Sequence, residues 1–251
     1  MLDSLAFSVS GLSSAAEVTD VWASDLANVA TPGFQSELPL AQSGSLTRVG
    51  PIATGTTPTD AAGAGLIVTQ RQTAAGPAVA TGSPLDAYLP PGTYLRVERS
   101  SGQSAFTRDA ALMIDARGAL VTASGERVLG TSGRPLRLPA GAHGTRIRTD
   151  GTVVTTVAGR TVQVGVLSLV AFDNPSGLMA TDHNLLTASA NSGPPVAVRR
   201  PALLVGYEVG SNVDVAQALT GVIIAARAFQ GNLAVMHEAS GMLRQLDQLT
   251  F

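Results

Sequence analysis

The reactive side chains in this sequence exclude most chemistry at the outset. All 16 basic residues among its 251 are Arg. Without Lys there is no P-loop lysine, no Schiff-base nucleophile and no Ser-x-x-Lys pair. Without Cys there is no thiol catalysis, no iron–sulfur or cysteine zinc site and no disulfide. His143, His183 and His237 stand 40 and 54 positions apart, with no His-x-His or His-Glu-x-x-His spacing. They read as scattered surface or packing residues rather than ligands.

Three fragments imitate sites and do not complete them. Asp182-His183-Asn184 has a catalytic composition, but no Ser, Glu or second His is placed by motif beside it, and such clusters are common in turns. Gly63-Ala64-Gly65 lacks the third Gly and the strand–helix setting of a phosphate loop, and reads as connector. Asp150-Gly151 with Asp115 does not build a calcium loop, so hairpin turns are the better reading. No catalytic, cofactor-binding or metal-binding residue is assigned, and no enzyme is expected.

Composition sets the scale of the fold. Hydrophobic residues reach 45% but aromatics only 4%, so a core is available and must be built from Ala, Val and Leu. The net charge of −2 and the lack of a long basic run argue against a nucleic-acid or anionic-membrane surface. No uninterrupted run of 18 apolar residues occurs, so no membrane-spanning helix is expected. The amino terminus lacks the charged and apolar regions of a secretory signal, so no cleaved leader is expected.

Both ends carry a heptad pattern. Leu5, Val9, Leu12, Ala16, Thr19, Ala23 and Leu26 step by four and three, and Pro32-Gly33 ends that helix. Val215, Leu219, Val222, Ala226, Phe229, Leu233, Met236, Ser240 and Leu243 repeat the device. Ser211-Asn212 supply cap residues ahead of it, and Asp214 suits the positive end of the helix dipole. Between the helices, turn signals recur about every seven or eight residues from Gly118 to Gly159, as in hairpins. Thr161–Phe172 reads as one longer strand buried on both faces, and 39–83 as extended connector with a strand at Leu66–Arg71. Seams this poor in Leu and Ile bury too little to support ordered helices on their own. Burial among helices of other subunits is therefore favoured over an isolated pair.

Three blocks carry a resemblance. Asp25-Leu26-Ala27-Asn28-Val29-Ala30-Thr31-Pro32-Gly33-Phe34 resembles the signature of bacterial flagellar rod and hook proteins. Gly210-Ser211-Asn212-Val213-Asp214 with Ala226-Arg227-Ala228-Phe229-Gln230 is similar to the family's second helix. Phe106-Thr107-Arg108-Asp109, followed by Leu120-Val121-Thr122 and Val128-Leu129-Gly130, is similar to its β-region block. Two departures stand out: Pro90-Pro91 replaces a Gly of the preceding turn, and Ala110 stands at a Gly position.

The resemblance implies a non-enzymatic axial subunit of the flagellar basal-body rod, without cofactor. It would be located in the periplasmic rod and exported by the flagellar type III apparatus without a cleaved signal. Its partners would be itself, other rod proteins and that export apparatus, with no nucleic acid and no membrane span. Of the two mid-sized rod proteins, Thr-Pro-Gly-Phe and the loose block around Leu85-Asp86 favour the proximal one over the distal one. An adhesive or carbohydrate-binding β module is the alternative from another class. The expected fold is α+β: long terminal helices forming a helical, coiled-coil-like rod-core domain, with an inserted β-rich domain. Its expected parts are 1–38, a connector 39–83, a β domain 84–200 and 201–251. The residues expected at the assembly interface are Leu5, Val9, Leu12, Ala16, Leu26, Asn28, Pro32, Gly33 and Phe34 in the first part. In the last part they are Ser211, Asn212, Val213, Leu219, Val222, Arg227, Phe229, Leu233 and Met236.

Overall fold

The computed structural model describes residues 2–41, 44–45, 62–63, 67–182, 184–199 and 201–249. Its contacts divide the chain into two units, a helical one of 1–27, 37–70 and 214–251 and a β-rich one of 28–36 and 71–213.

In the helical unit, Leu2–Ala27 forms α1 and Val215–Leu249 forms α2. The cap of α2 is Asp214, whose carboxylate accepts from the Gln217 N–H at 3.0 Å; the residues expected as caps, Ser211 and Asn212, are used elsewhere. The helices pack on each other through their smallest residues. Ser8, Gly11 and Ala15 are buried on α1, and Ala218 and Ala225 on α2. A Cβ on Gly11 would lie 2.6 Å from Nδ2 of Asn232, and one on Gly221 would enter the Trp22 indole. Small residues at a crossing let two backbones approach closely, so they take the contact.

This arrangement corrects the expected architecture. A helical, coiled-coil-like rod-core domain does not form. Among the described residues there are two long helices, paired through one stripe, and the remaining regular structure is β except for a 3-10 turn at Pro175–Gly177. The apolar period placed the seam one residue round the helix from the true contact. Val9, Val215, Leu219 and Phe229 are consequently exposed. A second expectation also changes. By length and composition, the segment Val215–Met242 is long and apolar enough to cross a membrane. It contains no uninterrupted apolar run because polar residues such as Gln217, Arg227 and Asn232 interrupt it, yet they are spaced widely enough to leave the segment apolar on average.

The β-rich unit is built around the strand Thr93–Glu98. It pairs with Ser104–Thr107, Arg127–Val128 and Leu169–Ala171 at different points along its length, and its residues are mostly buried. The large sheet runs outward from it to edges at Leu112–Ile114 and Met179–Thr181. A separate three-stranded sheet comprises His143–Ile147, Thr152–Val157 and Arg160–Val166. The glycines that set the hairpin spacing, among them Gly118, Gly125, Gly133 and Gly151, all adopt positive φ. The long strand expected over Thr161–Phe172 is two strands. The chain breaks at Leu167-Ser168, where it leaves the small sheet for the large one, and Arg160–Gln163 is an exposed edge rather than buried.

The main core is aliphatic, with Leu89, Leu95, Val97, Leu120, Val128 and Leu167 among its members. A second cluster gathers three of the few aromatics. Phe172 meets Tyr94 and Phe106 edge to face at centroid distances of 5.7 and 4.9 Å. Ala110 is fully buried and has no positive φ, so this chain does not need the family's Gly there.

Candidate functional site

Parts of the signature segments, Asn28–Ser36 and Gly210–Val213, come together within the β-rich unit. Asn212 is their hub. Its side-chain oxygen accepts from the Ser36 N–H at 2.6 Å, and its amide donates to the carbonyls of Gln72 and Ala74 at 2.9 Å each. Its own N–H donates to the Phe34 carbonyl. Only Asn combines an acceptor and a two-proton donor at this length of side chain. Ser211 closes a local turn, its hydroxyl accepting from the Val213 N–H.

Gly33 is held from two sides. Its N–H donates to the Val209 carbonyl at 2.6 Å, and its φ is +67°. A Cβ there would stand 2.5 Å from the Asp109 nitrogen and 2.6 Å from the Arg108 carbonyl carbon. Glycine is required by both conformation and space. Pro32 offers its carbonyl to the Asn184 amide at 3.1 Å, and Asn184 has φ +55°. Asn28 accepts from the Thr31 N–H and hydroxyl, a local helix-end arrangement. His183 lies outside the described residues.

Beneath this junction Arg108 is 2% exposed. Its guanidinium donates to the carbonyls of Leu89 and Thr93 at 3.1 Å and Pro90 at 3.4 Å, and lies 5.7 Å from the Tyr94 ring centroid. It therefore pins the Pro90-Pro91 turn. Burial lowers its pKa and raises that of Tyr94. Asp109 beside it is pushed up to about 6, chiefly by burial and then by Glu208, Asp86 and Glu126, against the hydrogen bond from Ala111. In the helical unit Asp25 also rises to about 6 by burial, with both oxygens on the Glu37 N–H. Among the described residues, no three of His, Asp or Glu are grouped to hold a metal.

On the helices the expected residues separate. Val9, Ala16, Leu219, Arg227 and Phe229 are exposed, whereas Leu12, Leu26, Val222, Leu233 and Met236 are half-buried. The side chain of Leu5 lies outside the described part. Exposure extends to residues the heptad reading passed over: Ile223 is 60% and Ile224 64% exposed. Gly11 and Gly221 were the missed signal for the contact, since a Gly inside a helix needs a packing reason. From sequence Asn212 is a cap residue, and nothing there points to partners 140 and 176 positions away.

Residues 92–155 match the family described as flagellar hook protein FlgE/F/G D1 domain, and residues 205–249 the flagellar basal body rod FlgEFG protein C-terminal family. The chain is 32% identical to the flagellar basal-body rod protein FlgG of Bacillus subtilis (strain 168), covering 99% of each. It is 31% identical to the flagellar basal-body rod protein FlgF of Escherichia coli (strain K12), covering 91% of this chain and 90% of that one. The FlgF of Rhizobium meliloti (strain 1021) is 29% identical over 68% of this chain and 69% of its own.

Proposed function

The chain belongs to the flagellar basal-body rod family, and on that premise we propose that it is an axial subunit that assembles through exposed faces of its terminal helices and transmits torque. Members of this family are structural, non-enzymatic proteins of the basal-body rod. The observation that carries the reading is the open face of α2, where Leu219, Ile223 and Ile224 are 50%, 60% and 64% exposed. Apolar surface on this scale marks a partner. Val9 and Ala16 on α1 and Phe229, Leu233 and Met236 on α2 are assigned to the same role, with Arg227 supplying a polar contact at its margin. A protein partner, rather than a membrane, is favoured because α2 already pairs with α1, whose exposed Glu17 and Asp20 are poorly suited to lipid.

Export through the flagellar type III apparatus is part of the same proposal. Thr31-Pro32-Gly33-Phe34 and the Pro90-Pro91 turn support a proximal position in the rod; the full-length likeness to FlgG supports a distal one. The test is to isolate basal bodies and locate the chain by mass spectrometry and antibody labelling. The reading requires it in the rod, and the labelled level separates proximal from distal. Absence from intact basal bodies that carry the other rod proteins would overturn it.

A further inference from the structure

Charge is divided between the two units. The helical unit holds nine acidic and three basic residues, and the β-rich unit nine acidic and thirteen basic ones. A chain of net −2 thus consists of one unit at −6 and another at +4. Residues 127–172 concentrate the positive side, with six Arg against one Asp.

Five of those arginines, Arg134, Arg137, Arg146, Arg148 and Arg160, are exposed. Arg146 and Arg148 project from one side of the first strand of the three-stranded sheet and its extension, roughly 7 Å apart. Arg160 opens the third strand of that sheet. Among the described residues the five make no ion pair, and Arg148 lies close enough to Asp150 to act on it electrostatically. The negative side includes α1, which has Asp3, Glu17, Asp20 and Asp25 and no basic residue at all. Glu17 and Asp20 are exposed and one turn apart, so they share a face.

We propose that the arginine-bearing sheet of one copy docks on the acidic α1 face of a second copy of this chain. The proposal rests on the reading of the chain as an assembling subunit, and names one contact of that assembly. Guanidinium forks are suited to carboxylates. The only aromatic in residues 127–172 is Phe172, which is buried, so the surface offers no stacking platform for a sugar. Because the two surfaces differ, the contact is heterologous and can repeat from copy to copy instead of closing at a dimer. Opposite charges steer the encounter and fix its orientation.

The test is sedimentation of the purified full chain in 50 and 500 mM NaCl, with R146E/R148E and E17R/D20R variants. Screening at the higher salt should weaken self-association by about tenfold or more. Each reversed variant should lose association with itself to a similar degree, and mixing the two should restore it. Melting curves of the variants verify folding, and R146Q/R148Q replaces the reversal if it does not fold. Association indifferent to salt and to both reversals would overturn the proposal. So would a loss that mixing does not restore, or a salt effect on the monomer's dimensions alone. Polyglutamate binding is measured alongside; unchanged self-association of R146E/R148E with loss of polyglutamate binding would also overturn it, making a foreign polyanion the partner. If Leu219→Asp abolishes association while the charge variants do not, the rod reading stands and this contact falls.

Discussion

Asn212 and Ser36 stand 176 residues apart in sequence, yet the Asn212 side-chain oxygen accepts the Ser36 N–H at 2.6 Å. One side chain thereby ties the segment that follows α1 to the segment that precedes α2. Asn212→Ala removes that bond and the two donated to Gln72 and Ala74. The expected loss is about 2 kcal/mol of β-unit stability, since net hydrogen bonds contribute roughly 1 kcal/mol each and exposed ones less. Urea denaturation checks it. Asn212→Asp should also lose stability, because it retains the acceptor but not the donors.

Gly33→Ala tests the second lock of the junction. Its φ of +67° is unfavourable for any side chain, and the added methyl meets backbone of Asp109 and Arg108. We expect a loss of about 2–4 kcal/mol, combining left-handed strain with overpacking. A change below about 0.5 kcal/mol would contradict the described approach.

The helix contact predicts an asymmetry between contact and open positions of the two helices. Ala225 is 3% exposed, so Ala225→Asp should destabilise the helical unit by several kcal/mol through an unpaired buried charge. Val9→Asp, on an exposed position, should leave monomer melting nearly unchanged. Circular dichroism at 222 nm reports both.

Two buried carboxylates give a pH dependence whose sign is fixed. Asp25 and Asp109 have folded pKa values of about 6 against roughly 4 unfolded. Between pH 4 and 6 the folded state binds more protons, so stability falls as pH rises through that window. Relative to pH 7.5, Asp109 should contribute on the order of 2 kcal/mol of added stability by pH 4.5, and Asp25 a smaller contribution of the same sign. Asp109→Asn, which keeps the acceptor used by Ala111, should abolish the β-unit share of the change in a denaturant series.

The hairpin glycines, the presence of both helices and the non-enzymatic class were legible because local chemistry decides them: a turn needs positive φ, and a helix cannot run through Pro32-Gly33, although α1 already stops at Ala27. The helix seam was not. Periodicity ranks residues by hydrophobicity, whereas the contact between α1 and α2 selects Gly11, Ala15, Ala218 and Ala225 for size. The same error hid the open face, since Ile223 and Ile224 fall off the heptad. The break at Leu167-Ser168 was invisible because both sides of it are apolar strand, and only the pairing of Leu167 with Gly151 and of Ser168 with Leu129 divides them. Arg108 was visible as a motif, but its carbonyl partners lie 15 to 19 residues away on a turn with no charge to announce them.

The central claim is that the exposed α2 face exists for neighbouring subunits, and Leu219→Asp measures it most directly. Leu219 is half exposed, so the helical transition of the purified variant should lie within about two degrees of the parent, under the roughly 4–8 °C that 1 kcal/mol produces in a domain near 100 residues, the size of the helical unit. In cells it should be absent from isolated basal bodies, whose rods end short, and the cells should be non-motile. A variant that melts normally and is recovered in complete rods at parental levels would contradict the account.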